Sequence, residues 1–202
     1  MAAAASLDDP FYYLVNFEFV LGWVTERHGD LLSDEELAFL AEFAALPRAS
    51  RALLVRMVMR RGEPFRTSKL VYPEISAEVS AHTADRAETG NSAASDPGEA
   101  ALAPLVAAGL VESAPALSLE VLFAQLRLPE LRQALAGEIR AAGLSASLGK
   151  GTLLDALAPR GLAARPLDAW WPAAPDRVVR LTVMATCDRL RLMFFGNLRQ
   201  DW

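Results

Sequence analysis

The chain has 202 residues, 52% hydrophobic and 22% charged, which excludes a disordered protein and allows one sizeable domain or two small ones. The single cysteine excludes an internal disulfide. The first residues lack the basic region of a signal peptide, and the apolar segments are too short or too charged to span a bilayer. The net charge of −5 does not exclude a nucleic-acid partner, because phosphate binding depends on the charge of the protein surface that faces the phosphate. These features, with abundant arginine and only two lysines, predict a soluble, cytoplasmic bacterial protein.

Two helices are predicted at the start of the chain. Residues 11–28 have apolar side chains at three- and four-residue spacings after Asp8-Asp9-Pro10. Ser33 and Glu36 form a capping-box pattern that predicts a second helix to about Leu46.

A third helix is predicted between Pro47 and Gly62, since proline favours the first turn and glycine the residue after the last. At 100° per residue, Leu53, Leu54, Met57 and Val58 share one face. Arg48, Ala52 and Arg56 lie opposite, so this helix is predicted to pack on one side and present guanidinium groups on the other. Val55 and Met59 are apolar residues on the arginine side of the helix, which indicates that this side is also partly buried.

Charge is strongly segregated along the first 72 residues. Residues 1–46 carry nine acids and one base, and residues 47–72 carry seven bases and one acid, giving −8 and +6. One hypothesis is that the basic residues bind phosphate, which arginine suits because its planar fork is always charged. The other is that they form a solvated face balancing the acids. The candidate residues are Arg48, Arg51, Arg56, Arg60, Arg61, Arg66 and Lys69.

The region 64–115 is predicted to complete a winged helix. Residues 64–75 read as an extended segment, residues 81–98 as a flexible surface insertion poor in apolar side chains, and residues 100–108 as a helix before a strand at 109–111. Three helices, a strand, a helix and a closing strand is the element order of that fold.

A second helical unit is predicted over residues 118–160, from its leucine stripe and the turn at Gly143-Leu144. Lys150 lies at a predicted helix N-terminus between Gly149 and Gly151, where backbone N–H groups and an ammonium could meet a phosphate. The residue five before Gly149 is not glycine, which excludes a nucleotide-binding P-loop. In the remainder, Trp170 and Trp171 are predicted to pack against a last helix.

No metal or hydrolytic site is indicated by the sequence. His28 and His82 are isolated from other histidines and cysteines, so metal-ligand spacing is missing. Neither histidine lies in a recognisable nucleophile pattern.

Four strings in this order resemble the Fanconi-associated nuclease family, whose members carry a virus-type replication-repair nuclease domain. The strings are FYYLVNFEFVLGWVTERHGDLLSDEE, ALLVRMVMRRG, FRTSKLVYPEI and DRLRLMFFGNLRQDW. The resemblance implies a mainly α protein: a winged-helix or helix-turn-helix unit at 8–115 and a SAP-like unit at 118–160, where Gly143-Leu144, Lys150 and Leu153 match the SAP pattern. Residues 165–202 would begin a tetratricopeptide-like helical region.

The function that the resemblance implies is the DNA-binding N-terminal portion of a structure-selective repair nuclease, of phosphodiesterase I type, acting on flap or branched DNA in cross-link repair. The family's catalytic centre needs metal-binding carboxylates and a lysine two residues after an acid. Pro175-Asp176 matches the first part of such a carboxylate motif. The two lysines do not complete it, because the residues two positions before Lys69 and Lys150 are Thr67 and Leu148 and neither is acidic. No cofactor is therefore expected in this chain, and Mg²⁺ or Mn²⁺ is expected only in the missing domain. The protein would be nucleoid-associated.

Two alternatives stay open at this point. A non-catalytic protein-interaction scaffold would use the arginine helix to dock a protein partner. A winged-helix transcription regulator is disfavoured by the second unit and the lack of an obvious dimerisation helix.

Overall fold

The computed structural model of the chain describes residues 9–60, 62–87, 96–145 and 147–199. Its secondary structure is mainly helical, which confirms the predicted class. The helices are α1 (Tyr12–His28), α2 (Asp34–Ala45), α3 (Arg48–Val58), α4 (Pro73–Ala87), α5 (Pro97–Ala107), α6 (Leu119–Gln125), α7 (Leu128–Ala134), α8 (Ala136–Ala141), α9 (Lys150–Leu157), α10 (Leu167–Trp170) and α11 (Met184–Phe195). The strands are β1 (Phe65–Arg66), β2 (Val111–Glu112) and β3 (Val178–Leu181).

The chain divides into two compact units that are interleaved in sequence. Unit 1 consists of residues 1–63, 70–112 and 181–202, and unit 2 of residues 64–69 and 113–180. The chain thus leaves unit 1 for six residues, at the segment that contains β1. The predicted domain boundaries, drawn without this excursion, stay a prediction.

Helix α3 is the centre of unit 1, with α1, α4 and α5 packed around it. Leu53, Leu54, Val55 and Met57 are all 1% exposed or less, and so is Ala52. The sequence correctly placed the first face inside, but the prediction that Ala52 faces outward was wrong. A helix surrounded by three others buries its small residues too, because close helix packing needs them.

Helix α4 corrects the prediction of a flexible insertion at 81–98. It begins at Pro73 and continues through residue 87, so residues 81–87 are helical, and residues 96–98 form the N-cap and first turn of α5. Alanine, glutamate and arginine are good helix formers, and the helix is held at its start by Ile75, which is buried. The rest of the predicted insertion, residues 88–95, lies outside the described residues.

The small sheet differs from the wing that the element order predicts. β1 pairs antiparallel with β3, with Phe65 opposite Val179 and Arg66 opposite Val178, and the strand order is β1-β3-β2. β3 itself belongs to both units, since the division falls after Arg180. The sequence did not reveal β3 because its four residues follow a segment rich in proline and tryptophan.

Unit 2 has a separate leucine-rich core. The stripe predicted for residues 118–160 is buried, with Leu122, Leu131, Leu135 and Leu157 essentially inaccessible. Trp170 and Trp171 join this core, and Trp170 Nε1 donates to the Leu117 carbonyl at 3.0 Å. The prediction that both tryptophans pack against the last helix stays a prediction.

That last helix, α11, packs on α1 within unit 1. Arg189 of α11 bonds the buried Glu36 carboxylate at 2.7 Å, so distant segments of the chain meet in one core. No helix among the described residues is long and apolar enough to cross a membrane.

Candidate nucleic-acid interface

The arginines of α3 are held in ion pairs within unit 1. Arg48 bonds Glu78 at 3.3 Å and Arg51 bonds Glu18. Arg48 also lies over the Phe11 ring at 4.1 Å and keeps 44% of its side chain exposed. Their charges are therefore already balanced by neighbouring carboxylates.

Arg56 is the most tightly held of these arginines. Its guanidinium bonds the Glu74 carboxylate at 2.6 and 3.0 Å and lies 3.9 Å from the centre of the Tyr13 ring. Burial opposes the charge on Glu74, but the hydrogen bonds and positive charge of Arg56, with a backbone hydrogen bond and the Tyr13 hydroxyl, together outweigh it and leave the pKa of Glu74 below its usual value. Arg56 thus binds α4 to the core of unit 1.

Arg60 and Arg61 follow the end of α3. Arg60 is exposed, donates to the Tyr72 hydroxyl at 3.3 Å and lines an open cavity of about 780 Å³ together with Arg191 and Arg199. Arg61 lies outside the described residues. Arg48 and Arg60 are thus exposed, whereas Arg51 and Arg56 are partly buried.

Arg66 is buried in unit 2, with only 8% of its side chain exposed. Its Nε and Nη2 donate to the Asp176 carboxylate at 2.9–3.2 Å, and its Nη1 donates to Glu130 at 2.8 Å. Bonds to these carboxylates raise the pKa of Arg66. Burial raises the pKa of Asp176, but bonds from Arg66 and Ser68 more than offset it, so the pKa is lowered and the carboxylate stays charged. Asp176, a candidate fragment of a metal motif, is instead the partner of an arginine.

Three exposed basic residues adjoin this ion-pair network. Ser68, next to Lys69, donates to Asp176; the Thr67 N–H donates to the Arg177 carbonyl at 2.9 Å; and the Arg127 N–H donates to Glu130 at 2.7 Å. Lys69, Arg127 and Arg177 are exposed. The network therefore fixes the backbone from which each of these cations projects.

Lys150 adds a fourth cation to the same region. It is the first residue of α9, is exposed, and its Nζ donates to the carbonyl of Leu126, the neighbour of Arg127, at 2.9 Å. We call Lys69, Arg127, Lys150 and Arg177 the basic edge of unit 2. Lys69 and Lys150 are among the contacts predicted from the sequence, whereas Arg127 and Arg177 are not, because they lie far along the chain from the basic run at 47–72.

Charge divides between the two units in a way that sequence windows do not reveal. Unit 2 contains ten basic and six acidic residues, a net charge of +4, whereas unit 1 contains ten basic and nineteen acidic residues, a net charge of −9. Three acids of unit 2 are paired internally, Asp176 and Glu130 with Arg66 and Glu138 with Arg165. Net charge therefore favours an anionic partner on unit 2 over unit 1.

The described residues contain no group of three or more histidine, cysteine, aspartate or glutamate side chains that could hold a metal ion. The ring of His28 lies against Trp23, with ring centres 5.4 Å apart. Cys187 is buried, which raises the pKa of its thiol to about 12.

Two family models match successive parts of the chain. Residues 11–88 match the FAN1 HTH domain, and residues 116–170 match the Fanconi anemia-associated nuclease SAP domain. A Fanconi-associated nuclease 1 homolog of Pseudomonas aeruginosa is 46% identical over 98% of the chain, which spans 31% of that relative. The homolog of Oryza sativa is 41% identical over 32% of the chain, which corresponds to 7% of its length.

The chain is also similar to solved structures of the same family. The chain is similar to paFAN1 crystallised with 2-nucleotide 5′ flap DNA with a gap, with a TM-score of 0.78 and 45% identity over 98% of this chain and 32% of that one. A paFAN1 structure with 1-nucleotide 5′ flap DNA gives a TM-score of 0.76 at 46% identity over 96% of this chain and 32% of that one. The chain spans about a third of these relatives, and it belongs to the Fanconi-associated nuclease family, of which it carries the N-terminal helix-turn-helix and SAP domains.

Proposed function

We propose that this chain is the DNA-binding portion of a structure-selective repair nuclease that acts on flap or branched DNA. The observation that carries the proposal is the basic edge of unit 2, in a chain 45% identical to a protein crystallised with 5′ flap DNA. Cleavage would then require the part of the family protein that this chain does not include, with Mg²⁺ or Mn²⁺ bound there. Such a protein would act in the bacterial cytoplasm, at the nucleoid.

The basic edge suits phosphate contact rather than the reading of bases. Two lysines and two arginines project from backbone held by hydrogen bonds, and contacts of this kind position a protein on a duplex without regard to sequence. Selection of flap or branched DNA then depends on the shape of the substrate.

The predicted α3 arginines contribute less in this proposal. For Arg48, Arg51 or Arg56 to bind phosphate, each must exchange a carboxylate that it already holds. Arg60 is exposed and donates to the Tyr72 hydroxyl, so we include it as a secondary contact; phosphate binding by Arg61 remains a proposal from the sequence. Arg66 is too enclosed to reach phosphate.

The test compares two double variants of the full chain that lose equal charge. Arg127→Gln with Lys150→Gln removes half of the basic edge, and the control, Arg140→Gln with Arg160→Gln, removes exposed arginines elsewhere in unit 2. Binding to a gapped duplex with a short 5′ flap is measured from 50 to 300 mM salt. The slope of log affinity against log salt should fall by about two units for the first variant, one for each lost contact.

The control should keep both affinity and slope close to those of the parent. Equal losses in the two variants would show that net charge alone drives binding. Salt-independent affinity in the parent chain would refute phosphate binding altogether.

A protein-interaction scaffold is the second candidate, because unit 1 exposes an aromatic face. Phe19 of α1 is 44% exposed and meets Phe194 of α11 edge to face at 6.0 Å, while Trp23 meets Phe194 at 4.9 Å. An apolar interface there would respond little to salt, so a partner captured equally at low and high salt would favour this function.

A further inference from the structure

We infer that Arg66 is a positioning residue for DNA: it contacts no phosphate itself but fixes the backbone that carries the basic edge. This inference rests on the proposed function and names the residue that organises its site. It also reassigns a residue that the sequence placed among the direct phosphate contacts.

Arg66 joins three separate segments of unit 2. It projects from β1, binds Asp176 just before β3 and binds Glu130 in the first turn of α7. All three of its side-chain nitrogens donate to carboxylates. A single guanidinium therefore sets the spacing of these segments.

Each of these segments carries one cation of the basic edge within three residues of its contact with the ion-pair network. Lys69 follows Ser68, which bonds Asp176; Arg177 follows Asp176; and Arg127 is held by Glu130. Lys150 is tied to the same place through the carbonyl beside Arg127. Moving any one segment changes the distance between cations that must match successive phosphates.

Arg66 is too enclosed to contact phosphate directly. Its side chain is 8% exposed and its partner Asp176 is 7% exposed, so a phosphate would have to displace a buried carboxylate to reach it. Removing one partner of such a pair leaves the other charge buried and unsatisfied, which is strongly unfavourable. The ion pair therefore persists when DNA binds.

Arginine rather than lysine is required for this task. The planar fork bonds Asp176 through two nitrogens while the third nitrogen reaches Glu130, a geometry that one ammonium does not reproduce. Arg66→Lys thus keeps the charge of unit 2 and loses the three-way spacing. This variant therefore distinguishes the effect of segment spacing on DNA binding from the effect of the charge of residue 66.

The experiment measures affinity and salt slope for a gapped 5′ flap duplex in the full chain, beside thermal unfolding. Arg66→Lys is compared with Arg165→Lys, which disturbs another ion pair of unit 2, that with Glu138, and also conserves charge. We expect Arg66→Lys to lower affinity about tenfold at low salt and to reduce the slope by about one unit, as one edge contact is lost. Arg165→Lys should leave both unchanged.

Ser68→Ala is the second variant, in case Arg66→Lys does not fold. It removes only the hydroxyl bond that holds the Lys69 turn to Asp176 and should also reduce the slope. If folded Arg66→Lys and Ser68→Ala proteins bind as the parent does, while Arg127→Gln with Lys150→Gln weakens binding, the positioning role is refuted and the proposed function stands. If the parent itself binds without salt dependence, the proposed function fails first.

Discussion

At the scale of single residues, the partner of an arginine decides its role. Arg48, Arg56 and Arg66 are indistinguishable in sequence as members of one basic run, yet the first is half exposed, the second holds Glu74 and the third is buried between two carboxylates. A buried arginine such as Arg66 must give up a buried carboxylate before it can bind a new anion, which is costly.

The first prediction contrasts two arginines of one helix. Arg56→Gln should lower the free energy of unfolding by about 2 kcal/mol, because Glu74, with 11% of its side chain exposed, keeps its charge and loses its cationic partner, retaining only the bond from the Tyr13 hydroxyl among its side-chain contacts with the described residues. Arg48→Gln should change it by less than about 0.5 kcal/mol, since that pair is solvent-screened. Urea unfolding of both variants decides this, and equal effects would contradict the assigned difference.

At the scale of elements, local signals located helix starts well and strands poorly. The capping box at Ser33 is present, with the Glu36 N–H donating to Ser33 Oγ and the Ser33 N–H to the Glu36 carboxylate. Helix α4 was missed because its start coincides with Pro73, which also ends extended segments, and its sequence has little apolar periodicity. β3 was missed because pairing with β1 depends on residues more than 110 positions away.

The second prediction tests the Ser33 cap. Ser33→Ala should lower the free energy of unfolding by about 1 kcal/mol, because the first N–H groups of α2 lose their acceptor. Ser80→Ala is the matched control: its exposed hydroxyl bonds the Ser76 carbonyl within α4, so its effect should stay within about 0.5 kcal/mol. A loss for Ser80→Ala as large as that for Ser33→Ala would show that the cap itself contributes nothing specific.

At the scale of the whole molecule, the excursion of residues 64–69 into unit 2 rearranges the charge. It carries Arg66 and Lys69 out of the acidic unit 1 and into a unit of net charge +4. The basic run at 47–72 is therefore divided between unit 1 and unit 2, and its net charge of +6 describes neither unit.

The third prediction concerns catalysis by the chain as it stands. Incubated with Mg²⁺ or Mn²⁺, it should bind a 5′ flap duplex and leave it uncut, because the sequence offers no lysine two residues after an acid and the described residues hold no metal-binding cluster. Gel analysis of labelled strands over several hours provides the measurement. Cleavage that copurifies with the chain and is abolished by EDTA would place a catalytic centre within it.

By itself, the sequence determined the mainly helical class, the leucine core of unit 2, the Ser33 cap and, through four ordered strings, the family. These follow from periodicity, capping and local residue choice, which act over a few positions and survive in any correct fold. Tertiary structure decided which cations are accessible: it buried Arg66 against Asp176, paired Arg56 with Glu74 and joined Arg127 and Arg177 to Lys69 and Lys150. The reason is physical, since a charge is neutralised or exposed by whatever the fold brings within a few ångströms, and the sequence does not record those distances.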